Sequence, residues 1–311
     1  MELWSKYGDL FGKKDSEVLA TLEKSDKAKE RWVARILKQD MDSALAKKLI
    51  DRIDEYNLNL SGANLVQEKF DGLDLSGAYL LGADLVNASF KGANLSNTIL
   101  DGAMMQGTNL EGVKLAKACA KGTSFWRSNL IGSSFQDALL RGACFEQANL
   151  TGANFKDVNL SGGFYAEGNF SFCQFDNVIA KGAIFMDALF SKSLFASSSL
   201  TGSTLSRSDF TNAGMCNVTA RACNYTDAKF VSSSIQACDI DSSLFMGADF
   251  TGACLGHMTV IGANFDSANF TDASLMMCKF ENCSFRWAKL KDAKLIDSHF
   301  VGCNFNGSDQ G

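Results

Sequence analysis

The sequence predicts an all-β solenoid built from short turning sides, preceded by a small helical N-terminal region. Three observations carry that prediction. Every fifth residue from Leu60 to Phe305 is apolar, over fifty positions without a shift of register. Small residues dominate the series two places earlier, and 20 of the 27 glycines fall two places after the centres. Residues 1–57 lack this pattern and follow helical spacing instead.

The first series sets the core. Phe fills 21 of its positions and Leu 19; the rest are Met105, Met215, Ala120, Ala180, Ala220, Tyr165, Tyr225, Ile235, Ile240 and Val260. The small series holds 22 Ala, nine Ser and six Cys. A period of five matches neither the 3.6 of a helix nor the 2 of a strand. A chain that turns a fixed corner every five residues keeps each centre, and the small residue before it, pointing inward. Glycine after the centre, and Asn or Asp just before it (Asn64, Asp84, Asn94, Asn149, Asn264), suit the corners.

Units such as Ala63-Asn64-Leu65, Ala83-Asp84-Leu85 and Ala153-Asn154-Phe155 closely resemble the pentapeptide-repeat family, and the resemblance covers residues 58–307. It implies a right-handed quadrilateral β-helix with four pentads to a coil. Fifty pentads then give twelve and a half coils, a rod roughly 60 Å long at ~4.8 Å per coil.

A twenty-residue coil also has support from the residues. Taking face 1 as Leu60, Leu80 and onward, the small centres Ala120, Ala180, Ala220 and Val260 all fall on it. Three have enlarged partners two places earlier: Val178, Val218 and Met258. On face 2, starting at Leu65, the large centres Tyr165 and Tyr225 go with Gly163 and Cys223. Interior volume is conserved.

In residues 1–57, Asp15 or Ser16 is placed to cap a first helix through Leu19 and Leu22. Ser25 is placed to cap a second containing Trp32 and Ile36, and a third is expected over about Asp42–Glu55 with Leu45, Leu49 and Ile53 on one stripe. These helices are expected to cap the first coil, since an end coil exposes apolar side chains and unpaired backbone; an accessory partner-binding module is the alternative. Glu68, the one charge in the small series, belongs to that first coil. Residues 308–311 read as a short polar tail.

Composition narrows the function. Charged residues are 21%, hydrophobic ones 46%, and proline is absent, which disfavours a disordered or collagen-like chain. No apolar run reaches membrane-spanning length, and the first residues do not read as a secretion signal. A net charge of −5 disfavours a strongly basic nucleic-acid binder. The ten cysteines show no metal-binding spacing, and a reducing, cytoplasmic compartment is expected. Cys283 and Cys303, twenty apart, should stack in adjacent coils, where a disulfide is conceivable but the ladder makes it unnecessary. His257 and His299 fall at outward or corner positions without a triad or metal cluster around them. No catalytic, cofactor-binding or metal-binding residue is predicted.

Function is therefore expected on the outward surface, as a non-enzymatic structural or protein–protein interaction scaffold. Lys121, Arg141, Lys181 and Arg221 share one outward register on face 1, and no acid occurs there between residues 118 and 222. They are candidate contacts for an acidic partner, with Trp126 on face 2 as a candidate apolar contact. Met186, Met246 and Trp287 are further outward apolar groups on face 2, beside Glu146, Glu167, Asp187 and Asp227. The family resemblance implies an alternative, a DNA-mimicking protein that binds DNA gyrase and protects it from poisons. Those members look shorter, more acidic and dimeric. A secreted bacterial effector is a third class the resemblance allows.

Overall fold

A computed structural model describes residues 2–11, 16–39 and 41–309. Parallel bridges join Asn59 to Tyr79, Asn64 to Asp84, Lys69 to Ser89 and Asp74 to Asn94, and each series continues in steps of twenty. Four ladders per twenty residues make a four-sided coil, with faces 1 to 4 starting at Leu60, Leu65, Phe70 and Leu75. On each side the Leu60 pattern repeats: Leu60 N donates to Tyr79 O at 2.7 Å, Tyr79 N to Leu58 O at 3.0 Å and Gly62 N to Leu81 O at 2.9 Å. The ladder carries on to Asp309, bridged to Lys289, so Ser308 and Asp309 belong to the last rung rather than to a free tail.

The corner chemistry explains the glycine series. All fifty positions two after a centre have φ between +49° and +76°, twenty of them Gly and thirty not. In this left-handed region a Cβ costs roughly 1–2 kcal/mol. Asn and Asp before the centre supply the preceding turn: Asn94 Oδ1 accepts from Ser96 N at 3.1 Å, and Asn264 Oδ1 from Asp266 N at 2.8 Å.

Inside, the centres stack coil on coil. Phe125 lies on Phe145 with ring centroids 4.6 Å apart, Phe250 on Phe270 at 4.8 Å and Phe155 on Phe175 at 5.1 Å. Volume is traded as the sequence suggests: a Cβ on Gly163 would meet the Tyr165 hydroxyl at 2.3 Å. The ten cysteines are free thiols, Cys283 and Cys303 among them.

Among the described residues, four α-helices precede the solenoid: α1 (Glu2–Tyr7), α2 (Ser16–Glu23), α3 (Ala28–Leu37) and α4 (Ser43–Ile50). The sequence did not suggest α1. Of the two candidate caps for α2, Asp15 lies outside the described residues, and Ser16 is the first helical residue. Ser25 is not the cap of α3. Lys27 holds that position, while the Ser25 hydroxyl accepts from Lys27 N at 3.1 Å and donates to Glu30 at 2.7 Å. Asp42 caps α4 through Leu45 N at 2.8 Å. That helix ends at Ile50 rather than near Glu55, because Ile53 turns away to bridge Leu58 antiparallel.

The helices join the solenoid through one apolar cluster that runs from Tyr7, Trp32, Leu45 and Leu49 into Leu58, Leu60 and Leu65. Polar contacts fix the seam. Arg35 donates to Ser76 O at 2.8 Å, Gln39 exchanges side-chain bonds with the Asp74 backbone, and Lys48 meets Glu68 at 2.7 Å. Glu68 is thus held by the helical region. Among the described residues, no helix is long and apolar enough to cross a membrane.

Candidate functional site: a cationic wall on face 1

The ladder puts four of the five candidate residues in one row. Gly122 N donates to Arg141 O at 3.0 Å, Gly142 N to Ser161 O at 3.1 Å, and Gly162 N to Lys181 O at 3.0 Å. Gly182 N to Thr201 O at 3.0 Å and Gly202 N to Arg221 O at 2.9 Å complete the line. Lys121 and Arg141 are therefore one coil apart, and Arg141 and Lys181 two. All four side chains are exposed.

They are not equivalent. Arg221 pairs with Asp239, which sits one coil further along the same face. Among the described residues, Lys121, Arg141 and Lys181 enter none of the ion pairs. The row thus carries three cations outside the ion pairs and one, Arg221, inside a pair. In the folded chain, residues 18 apart place an outward side chain beside the row on the next coil, as Asp239 stands to Arg221.

Trp126 is elsewhere. It stands beyond the Phe125 centre of face 2, 37% exposed, with the Arg127 guanidinium 4.2 Å from its ring centroid. The row gains a different set of apolar neighbours. Leu139 (45% exposed) and Ile179 (43%) precede their centres on face 1. Phe164 (45%) and the half-buried Ile184 occupy the corresponding place on face 2, across the bare corners Gly142, Gly162 and Gly182. Asn or Asp fills 18 of the fifty positions just before a centre, so an apolar occupant is no signal by itself; the grouping of these four beside the row emerges only from the coil path.

The acids of face 2 are partly engaged. Arg207 grips Asp187 through two bonds of 2.8 and 2.7 Å, and this hydrogen bonding holds the Asp187 carboxyl below its ordinary value. Gln147 donates to Glu167 at 3.0 Å and accepts from Arg127 at 2.6 Å. The inward thiols are poor nucleophiles: burial pushes Cys173 up to about 12 and Cys223, Cys238 and Cys283 to about 11.

A long parallel β-solenoid with ordered walls and a filled interior is a repeat protein. The pentapeptide-repeats family model matches eight times, over residues 56–92, 80–115, 88–127, 108–147, 118–157, 153–191, 243–286 and 283–309. The chain belongs to the pentapeptide-repeat proteins. Among similar solved structures is HetL from the cyanobacterium Nostoc sp. strain PCC 7120, described as involved in heterocyst differentiation regulation. It is 19% identical, with 84% of this chain and 96% of that one covered and a TM-score of 0.39. QnrB1, a plasmid-mediated fluoroquinolone resistance protein, is 18% identical over 58% of this chain and 83% of its own, with a TM-score of 0.27. Rfr23 from the cyanobacterium Cyanothece 51142 is 27% identical over 37% of this chain and 82% of its own, with a TM-score of 0.15. No curated protein matches the chain.

Proposed function

We propose that the chain is a non-enzymatic scaffold that binds a protein partner along face 1. The supporting observation is the row Lys121, Arg141 and Lys181: aligned by the ladder, exposed, without ion pairs, and on a wall free of acids between residues 118 and 222. Like charges one coil apart repel unless salt or a partner screens them, so the row favours an acidic surface. Its place is a reducing, cytoplasmic compartment, in keeping with exposed free thiols at Cys216 and Cys254.

The gyrase alternative calls for an acidic wall. Here Asp187 is paired with Arg207 and the net charge of the chain is only −5, which favours the scaffold reading. Affinity capture from lysate with the wild-type chain and with Lys121→Glu/Arg141→Glu/Lys181→Glu tests the two. Specific partners are expected to disappear from the triple variant. Retention of all of them would overturn the reading, and capture of gyrase unaffected by the change would support the alternative.

A further inference from the structure

The cationic row does not stand alone. Leu139 and Ile179 flank it on one side and Phe164 and Ile184 on the other, so the edge between faces 1 and 2 is a basic ridge with apolar shoulders. The ridge has ends. Asp101 stands in the same row one coil before Lys121, its carboxylate accepting Lys121 N at 2.8 Å, and Asp239 and Asp241 lie on face 1 beyond Arg221.

Three features say what fits. First, the backbone of this wall is already spent in the ladder, as in the bonds of Gly142 and Gly162. An extended peptide laid on it gains no main-chain hydrogen bonds, whereas a helix arrives with its own satisfied. Second, spacing suits a helix. Lys121, Arg141 and Lys181 stand at 0, 1 and 3 coils, or 0, ~4.8 and ~14 Å. Carboxylates at i, i+3 and i+10 of a helix stand at about 0, 4.5 and 15 Å, on one stripe. Alternate residues of an extended chain recur every ~6.6 Å, too wide for the first pair. Third, the acids beyond each end oppose a broad anionic surface such as a bilayer, which would cover the whole wall.

We propose that the edge from Lys121 to Ile184 docks an acidic amphipathic α-helix of a partner protein. Its carboxylates meet Lys121, Arg141 and Lys181, and its apolar residues rest on Leu139, Ile179 and Phe164. This rests on the scaffold reading and adds the partner's chemistry and shape.

The probe is a fluorescein-labelled 18-residue helical peptide with Glu at i, i+3 and i+10 and Leu beside them. Fluorescence anisotropy follows its binding to the full-length protein. Saturable binding is expected, weakened at least tenfold by Lys121→Glu/Arg141→Glu/Lys181→Glu and about tenfold by Leu139→Ser/Ile179→Ser. A peptide of the same composition with a central proline should bind at least tenfold more weakly. Circular dichroism and gel filtration confirm that the variants, all at exposed positions, keep the fold. No saturable binding, equal binding of the proline peptide, or indifference to the triple reversal overturns the proposal. Cation-dependent binding to phosphatidylserine vesicles without binding to the peptide overturns it in favour of a lipid surface. If the peptide fails while lysate partners still depend on the three cations, only the helix is wrong; if those partners are indifferent too, the scaffold reading falls with it.

Discussion

Tyr165 occupies the space that a side chain on Gly163 would need. A Cβ built there would lie 2.3 Å from the Tyr165 hydroxyl oxygen and 2.6 Å from Cζ, and that hydroxyl is anchored to Leu160 O at 2.9 Å. The small series and the central series are thus one packing unit per side, with a fixed volume to divide.

Gly163→Ala should therefore destabilise the fold. Overpacking of this kind costs about 1–3 kcal/mol. Adding Tyr165→Leu should return part of the loss, because the smaller centre vacates the contested space, even though the Leu160 carbonyl loses the Tyr165 hydroxyl and keeps only the longer bond from the backbone N–H of residue 163. Urea midpoints of the two single variants and the double variant check this. Strictly additive losses would contradict the shared volume.

A second prediction concerns Asp266, which is nearly fully buried for an acid. Arg286, twenty residues on, donates to it through Nε at 2.9 Å and Nη2 at 2.6 Å, and Arg286 N adds a third bond at 3.1 Å. Burial pushes the carboxyl up, but hydrogen bonds from Arg286 and Ser284 outweigh burial and leave it below the ordinary value. Because the folded group is the stronger acid, its contribution is complete above the unfolded value of about 3.9 and is lost as pH falls through the folded value. Asp266→Asn should lower stability by roughly 1–3 kcal/mol near neutrality. The gap from wild type should shrink in acid. Urea denaturation of both at pH 7 and pH 3 measures it, and a gap that widens in acid would refute the assignment.

Much of this architecture was legible in the residues. Fifty centres in register predict the solenoid, and Ala180 with Val178, like Tyr165 with Gly163, reveals the coil length because volume must balance within each layer. Side-chain pairing between coils was harder to read. The engagement of Arg221 by Asp239 depends on an interval of 18, two short of the coil, which appears only once the path around the corner is known. Helix ends in the first fifty-seven residues were also elusive. Ser25 looks like a cap by type, but its hydroxyl serves Glu30, and Ile53 leaves the α4 stripe to open the first coil. Such choices depend on tertiary partners that local propensity does not contain.

The helical region should protect the end it covers. Leu60, Leu65 and Leu75 in the first coil are fully buried, whereas Leu295, a centre near the other end, is 43% exposed. Deleting residues 1–55 should uncover the first centres and the row of unpaired backbone beside them, a template for association. Light scattering should show aggregation of the shortened protein. Hydrogen exchange of the Leu60 and Leu65 amides should quicken in Arg35→Ala/Gln39→Ala, which removes the bonds to Ser76 and Asp74. A truncated solenoid that stays monomeric and equally stable would show that the helices serve a partner instead.

The corners allow a prediction in the stabilising direction. Ala222 sits at φ +53°, in the left-handed region where twenty of its register mates are glycine. Its Cβ costs roughly 1–2 kcal/mol there, while glycine costs about 0.5–1 kcal/mol of backbone entropy relative to alanine. The first cost exceeds the second, and Ala222 is exposed, so little packing is lost by removing its methyl group. Ala222→Gly should raise stability by roughly 0.5–1 kcal/mol. The reverse change at a matching corner, Gly142→Ala, should lower it by a similar amount, since φ there is +69° and a Cβ would touch nothing within 4 Å. Thermal or urea unfolding of the two variants compares them directly. Opposite shifts of similar size support a purely backbone cost at the corner, and a loss on Ala222→Gly would mean that chain entropy outweighs strain in this turn.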